Sequence, residues 1–564
     1  MLTHTHTRTH YTHTSTGKSC DWLFLYFGHF CSKGEEAMSV RVWFSALGLL
    51  AGLCCSFLGP AEGGNVLVIP VDGSHWLSMK ILVKELTRRG HEVVVLVPES
   101  SLLMNSSEGY RTQLYKVPYN KAELDGTFAQ LQDSVFVKSP VFTDMLFNVE
   151  LLVNFTSFQE KGCRSLLDQQ PLLSQLRDEA FDLVLTDPFL PCGSILARIF
   201  GIPAVYFLRG LPCDLDSKAN RCPVPLSYVP KFYSGNTDVM TFTERVKNNI
   251  LALVESYLCH LMYAHFDELV SDYVEEGMTY KNLLSHGAIW LLKYDFVLEW
   301  PKPVMPNMFF IGGINCAKQQ PLPADLEEFV EGSGEDGFII FTLGSMVSKM
   351  PEEKAQQFLG AFRQIPQKVL WRYTGVELKN VPKNVKLMKW LPQNDLLAHP
   401  KAKAFLTHGG THGIYESLCN AVPMLMFPLF GDQAENVHRM VVRGIAETLS
   451  MHDVKTDELL VALNNIINNK RYKEKMVKLS AIHLDRPVQP LDLAVFWTEF
   501  VMRHKGAAHL RVAAHDLNWF QYHSLDVAGF LLAVVVTALW VTLKCCLFCT
   551  RKGCRKGTAK RKSE

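Results

Sequence analysis

Short apolar runs, each followed by a polar turn and a helical stretch, recur through most of this chain and narrow its fold more than any other feature. NVLVIPV (65–71) ends in DGSHW, LSMKILVKELTRRG reads as an amphipathic helix closed by Gly90, and EVVVLVP is a second strand, which makes a βαβ opening. LVLTDP (183–188) and PAVYFL (203–208) follow, with a helical LPCGSILARIFG between them. After a Pro-rich joint, WPKPVMPN (300–307), and the polar EEFVEGSGEDG, the pattern restarts with FIIFTLG, VLWRYTG, VKLMKWLP, KAFLTHGG and PMLMFPLF. Strands joined through helices pair in parallel, and 564 residues exceed what one core holds. The expected fold class is therefore α/β, with two Rossmann-like doubly wound domains. In such sheets ligands bind beyond the carboxyl ends of the strands, so the residues just after each run are those to inspect.

Within KAFLTHGGTHGIYESLCN, KAFL reads as a buried strand, Thr407 to Thr411 as its exit loop and GIYESLCN as a helix. The first amides of a helix lack partners within it and sit at its positive end, so an anion suits them. Gly409 and Gly410 let backbone approach a phosphate closely, and His408 adds a hydrogen bond or a charge, although the glycines suit plain tight packing too. Trp390, with Pro392 and Gln393, ends the preceding strand, where an indole stacks a planar base and the amide reads its edge, unless the indole is core. Glu416 follows His412 by one helical turn, so both share a face, and a carboxylate there suits the paired hydroxyls of a ribose. Asp432 and Gln433 follow PMLMFPLF at the same edge, placed for sugar hydroxyls.

In the first half, His75 stands in the loop after the first strand and Asp187 ends LVLTDP. An imidazole ordinarily titrates near about 6.5, so at neutral pH it accepts a proton from a hydroxyl, and an aspartate beside it stabilises the imidazolium. Asp214 to Asp216 spell a possible cation-binding Asp-Leu-Asp, but in a Cys-flanked loop and not at a strand end, so they are read as surface. No His and carboxylate set has zinc-like spacing. No metal and no resident cofactor is expected.

The run from Trp390 to Gln433 resembles the nucleotide-sugar signature of the UDP-glycosyltransferases. From Met38 to the basic tail the chain is similar to the membrane-bound UDP-glucuronosyltransferases, family 1 in particular, including PKPVMPNMFFIGGINC, WLPQNDLL and the final lysines. The resemblance implies a GT-B-type pair of domains, with 62–300 binding the acceptor, 301–490 binding the UDP-sugar, and 491–526 returning helices and a membrane-proximal segment. It implies Trp390 on uracil, Gln393 and Glu416 on the uridine, His408 with the Gly409 to Gly413 amides on the diphosphate, and Asp432 and Gln433 on the sugar. Ser345 in TLGS and Arg372 in LWRY are implied as lesser contacts to the same donor, while His412 stands where many relatives carry Asn or another small polar residue. The implied reaction moves glucuronic acid from UDP-glucuronate to hydroxyls, or similar nucleophiles, of lipophilic small molecules such as phenols, steroids or bilins. It inverts the anomeric centre and gives a β-glucuronide and UDP, with His75 as base and Asp187 its partner. Residues 137–158, rich in Phe, Leu and Val, are expected either to wall the acceptor pocket or to form a core helix. Asp432 and Gln433 alone do not dictate the sugar, so glucose or galactose transfer to a lipid is the alternative, and a non-catalytic partner of active relatives is another. Homo- or hetero-oligomers with relatives fit the same resemblance.

The ends of the chain point to a membrane. MLTHTHTRTHYTHTST alternates Thr and His as a metal tract or a translated two-base repeat would, and the second reading makes 1–37 a non-native extension. Beginning at Met38, one Arg, a long apolar run and then small residues have the layout of a secretory signal over 38–61, the mature chain starting near Ala61 to Gly64. The run 527–543 carries no charge over 17 residues, just enough for a spanning helix. The Lys- and Arg-rich tail 544–564 then belongs in the cytosol and the body in the lumen, a single-pass type I arrangement, and Lys560 and Lys562 resemble an endoplasmic reticulum retrieval signal. Asn105 and Asn154 stand in glycosylation sequons usable there. A net charge of +1 offers no footprint for nucleic acid. Seven of the 15 cysteines fall in the body, odd and sparse for a disulfide scaffold, and Cys213 and Cys222 either bridge a loop or stay free.

Overall fold

The apolar runs become parallel strands in two separate sheets. A computed structural model describes residues 63–560 apart from 102–103, 105–108, 124–125, 127–133 and 138–140; the extension, the signal-like segment, Asn105 and Lys562 lie outside the described residues. The first sheet holds β1 (Asn65–Ile69), β2 (Glu92–Pro98), β3 (Arg111–Tyr115), β4 (Leu183–Thr186), β5 (Ala204–Leu208), β6 (Ile289–Leu292) and β7 (Met308–Phe310), in the order β3-β2-β1-β4-β5-β6-β7. The second holds β8 (Phe338–Thr342), β9 (Lys368–Arg372), β10 (Val385–Met388), β11 (Ala402–Thr407), β12 (Met424–Met426) and β13 (Ala446–Thr448), in the order β10-β9-β8-β11-β12-β13. Every pairing is parallel. Central strands such as VLVI and FIIF are buried on both faces, which is why they read as unbroken apolar runs. Each order reverses beside its first strand, between β1 and β4 and between β8 and β11, and a crevice opens at such a reversal.

The helices that matter for the site are α1 (Ser74–Arg88), α2 (Val141–Asp168), α3 (Cys192–Phe200), α4 (Phe242–Tyr273), α5 (Gln393–Ala398), α6 (Thr411–Cys419), α7 (Gln433–Val442), α8 (Lys470–Leu484), α9 (Pro490–His504) and α10 (Leu525–Lys560). Helices α2 and α4 pack together, with Arg164 Nη1 donating to Asp272 Oδ2 at 3.0 Å. Asn154 is exposed on α2.

Six of the seven body cysteines pair: Cys163–Cys192 joins α2 to α3, Cys213–Cys259 joins the loop after β5 to α4, and Cys316–Cys419 joins the turn after β7 to the end of α6. The bridge considered between Cys213 and Cys222 is therefore corrected, because Cys259 on α4 lies closer in space than sequence spacing suggests. Cys222 is a buried free thiol whose Sγ donates to Pro303 O at 3.3 Å.

Helix α9 turns back onto the first sheet. Its Ala494, Val495 and Val501 are fully buried in one apolar cluster with Val66, Val68 and Leu185, and Asp492 accepts from Arg89 Nη2 at 3.4 Å. Helix α10 then leaves the body, exposed over its described length. Its candidate spanning stretch, Leu525–Lys552, runs 28 residues and contains the uncharged run read from sequence, and it is the one helix among the described residues long and apolar enough to cross a membrane. At 1.5 Å per residue it spans about 42 Å, against about 30 Å for a hydrocarbon core.

Candidate active site

His75 sits in the first turn of α1, one step further into regular structure than the loop foreseen for it. The helix starts abruptly because Gly73 holds φ +81°, a left-handed conformation that other residues rarely adopt. Asp187 leaves β4, the neighbour of β1, so the two side chains meet across the reversal with His75 Nδ1 2.6 Å from Asp187 Oδ2. The Asp187 side chain is 1% exposed and that of His75 33%. With a carboxylate opposite Nδ1, the ring proton lies there and Nε2 keeps its lone pair, which makes no hydrogen bond among the described residues. Asp187 is itself held, its Oδ1 accepting from Phe189 N at 3.0 Å. The Phe189 ring stands 5.8 Å from the imidazole and 5.8 Å from Phe155 of α2, an apolar wall beside the imidazole to which the segment 137–158 contributes Phe155.

The second sheet presents its exit loops together. Trp390 is 53% exposed, which rules out the core reading, and Arg372 lies over its ring at 5.3 Å. The Arg372 guanidinium donates to Gly344 O and, at 3.3 Å, to Ser345 O, so it shapes the loop after β8 and stacks on the indole without pointing a free fork outward. At α6, Gly410 is the N-cap and no side chain caps the helix, leaving its first amides open. Gly409 holds φ +91°, and a Cβ there would fall 2.7 Å from Val437 Cγ2. The His408 ring packs on Gly344, and burial pushes it down to about 4, with Asp432 opposing and Arg372 adding to the shift, so it is neutral at pH 7. A neutral ring offers a hydrogen bond and no charge. Glu416 is buried, its Oε2 accepting from Gln393 Nε2 at 2.5 Å and its Oε1 lying 3.0 Å from His412 Nε2. Gln433 is buried and its Oε1 accepts from Leu429 N at 2.8 Å, which leaves its amide hydrogens toward the edge. Asp432 Oδ2 accepts from Asn436 Nδ2 at 2.9 Å, and that same amide donates to Gly409 O at 3.0 Å. Gly413 sits in the first turn of α6, where a Cβ would press on Phe405 and the Gln393 amide at 3.1 and 3.2 Å.

Both sets face one cleft. Lys293, at the exit of β6, feels the charges of Asp187 and Asp432, with Arg209 opposing them, and its ammonium lies over the Phe207 ring at 5.7 Å and makes no hydrogen bond or ion pair among the described residues. Burial pushes it down to about 8, against the pull of the two carboxylates. Lys293 was missed in the sequence because IWLL was not read as a strand; the apolar run ending in Lys was the available signal. Ser78 was missed too: its Oγ is 3.0 Å from His412 Nδ1.

The Asp-Leu-Asp motif is corrected. Asp216 is 4% exposed and not on the surface, with burial raising its carboxyl and Leu211 N donating to it at 3.4 Å, while Asp214 is paired with Lys231. The two carboxylates therefore look to different protein partners. Three other groups of candidate ligand atoms occur among the described residues; two contain disulfide cysteines and the third, Glu327, Glu331 and His399, already holds Lys401 on Glu331.

The chain is 63% identical over 472 residues to a UDP-glucuronosyltransferase of Pleuronectes platessa, covering 83% of this chain and 100% of that protein. It is 48% identical over 506 residues to human (Homo sapiens) UDP-glucuronosyltransferase 1A1, covering 89% of this chain and 95% of the relative. Among solved structures, a UDP-glucosyltransferase from Polygonum tinctorium capable of glucosylating indoxyl, in a complex with 3,4-dichloroaniline, superposes with a TM-score of 0.55 at 15% identity, covering 79% of this chain and 100% of the other. A calicheamicin glycosyltransferase matches with a TM-score of 0.52 at 18% identity over 78% of this chain and 99% of its own. Both share the GT-B arrangement of two parallel sheets. The family described as UDP-glucoronosyl and UDP-glucosyl transferase matches residues 64–561, and the chain belongs to it.

Proposed function

We propose that the chain transfers glucuronic acid from UDP-glucuronate to hydroxyl groups of lipophilic small molecules, with inversion. The observation that carries the choice of sugar is Lys293, an ammonium within the fields of Asp187 and Asp432 that holds no ion pair among the described residues, where a uronate carboxylate finds a partner and a glucose hydroxymethyl does not. The glucuronosyltransferases to which the chain is similar support the same donor.

In this reading Trp390 stacks the uracil, Gln393 reads its edge and Glu416 takes the ribose hydroxyls. The open amides from Gly409 to Gly413 and the neutral His408 donate to the diphosphate, Asp432 and Gln433 hold the sugar, and Ser345 and Arg372 shape the loop beneath. An acceptor against Phe189 and Phe155 gives its hydroxyl proton to His75 Nε2 as its oxygen bonds to the anomeric carbon and the bond to the UDP oxygen breaks on the opposite face. Asp187 balances the imidazolium until that proton passes to solvent. The charge of the leaving UDP falls on the start of α6, with no cation required. The body occupies the lumen of the endoplasmic reticulum and α10 crosses its membrane, a reading that rests on Asn154 and the basic residues that follow the apolar run.

A panel of UDP-sugars on the membrane-bound protein tests this. UDP-glucuronate is the preferred donor, and Lys293→Gln raises its KM about tenfold or more while leaving the weak use of UDP-glucose unchanged. Equal use of both donors by the unmodified protein, or equal losses in the variant, contradicts the assignment.

A further inference from the structure

Helix α1 carries Ser78 as well as His75, one turn further along, and Ser78 reaches the other half of the chain. Ser78 is 3% exposed. Its hydroxyl donates to Ser74 O at 3.1 Å, and its Oγ lies 3.0 Å from His412 Nδ1 on α6. A hydroxyl owns one proton, and the Glu416 carboxylate at the other ring nitrogen only accepts, so in the neutral ring the proton sits on Nε2, Nδ1 accepts, and the Ser78 proton is shared between Ser74 O and Nδ1 across the cleft. The other ring nitrogen faces Glu416 Oε1 at 3.0 Å, and Asn315 Nδ2 fixes the His412 backbone by donating to its carbonyl at 2.8 Å. A continuous polar chain thus runs from Gln393 through Glu416, His412 and Ser78 to Ser74, the residue before His75. The other polar contacts of α6 with the first half are made elsewhere, with Tyr415 Oη accepting from Asp295 N at 2.8 Å.

We propose that Ser78 is a positioning residue for transfer: its bond to His412 registers the helix carrying His75 against the helix that reads the donor. A ribose docked on Glu416 then fixes, through His412 and Ser78, the distance from His75 Nε2 to the anomeric carbon. His412, in this arrangement, serves as a strut between the halves where the resemblance left its donor contact open. Reacting groups tolerate little displacement, a shift of about 1 Å costing about a hundredfold in rate. The inference rests on the reading of His75 as base and Glu416 as the ribose group.

Ser78→Ala, His412→Gln, the double variant and His75→Ala separate the possibilities, with kcat, donor KM, UDP Kd by calorimetry and the thermal midpoint measured for each. Ser78→Ala is expected to lower kcat about tenfold while UDP Kd stays within about twofold, because the nucleotide contacts lie on the second half. The double variant should lose no more than the worse single one, the mark of a shared bond. A kcat within about twofold of the parent in Ser78→Ala, or losses that multiply in the double variant, overturns the proposal. If Ser78→Ala fails to fold, His412→Gln, on a partly exposed side chain, must show the kcat loss, and an unchanged kcat there is equally fatal. Full turnover in His75→Ala would instead remove the base assignment itself, a failure distinct from that of the strut.

Discussion

Lys293 sets a pH dependence with a definite sign. Its ammonium is pushed down to about 8, so it is largely charged at pH 7 and neutral above that value. The kcat/KM for UDP-glucuronate, which reports the free enzyme, is expected to fall by up to about tenfold per unit as pH rises past about 8, while kcat/KM for UDP-glucose shows no such break. Unfolding does not explain such a fall: between about 8 and the ordinary lysine value the unfolded chain binds the proton that the folded one lacks, so this group makes the fold more stable as pH rises. Parallel profiles for the two donors, or a break that persists in Lys293→Gln, would contradict the expectation. At this scale the sequence was readable where chemistry follows a strand directly: His75, Asp187, Trp390 and His408 each stand at the exit of a recognisable apolar run. Lys293 and Ser78 were not readable, since one follows a strand that was not noticed and the other acquires meaning only from a ring on a helix hundreds of residues away. Asp216 misled because two acids in a loop look solvated until their packing is known.

The strand exit into α6 concentrates the structural demands on a single element. Gly409 combines φ +91° with a Cβ position 2.7 Å from Val437 Cγ2, so Gly409→Ala both strains the backbone and displaces α7, on which Asp432 and Asn436 sit. The substitution is expected to cost about 1–3 kcal/mol of stability and to weaken UDP binding about tenfold or more, by thermal denaturation and nucleotide titration. Undiminished UDP affinity would show that the amides at this turn do not hold the diphosphate. Long central strands announced themselves by unbroken aliphatic runs, whereas β3 is polar and β7 and β13 span only three residues each, too short for any periodicity to register. Disulfide pairing was opaque for a similar reason: Cys316 and Cys419 meet because a turn after β7 lies against the end of α6, a contact made by the second sheet packing on the first.

Two facing sheets were legible from the alternation of runs and the resemblance; which side chains join them was not, and Ser78 Oγ at 3.0 Å from His412 Nδ1 is one such contact. The return of α9 onto the first sheet carries a test of its own. Ending the chain after Ser524 removes α10 alone and should preserve a cooperative thermal transition that UDP raises. Ending it after Gln489 strips away Val495 and Val501, both fully buried on a helix packed against α1, β6 and β7, and should abolish that transition, as calorimetry would record. A stable UDP-responsive protein lacking α9 would mean that this packing is dispensable. Helix α9 is clamped to the sheet that carries His75, and the bilayer-length helix follows it after residues 505–524. Any load carried by α10 is therefore passed to the first sheet, the one beside Phe189 and Phe155, before it reaches the second.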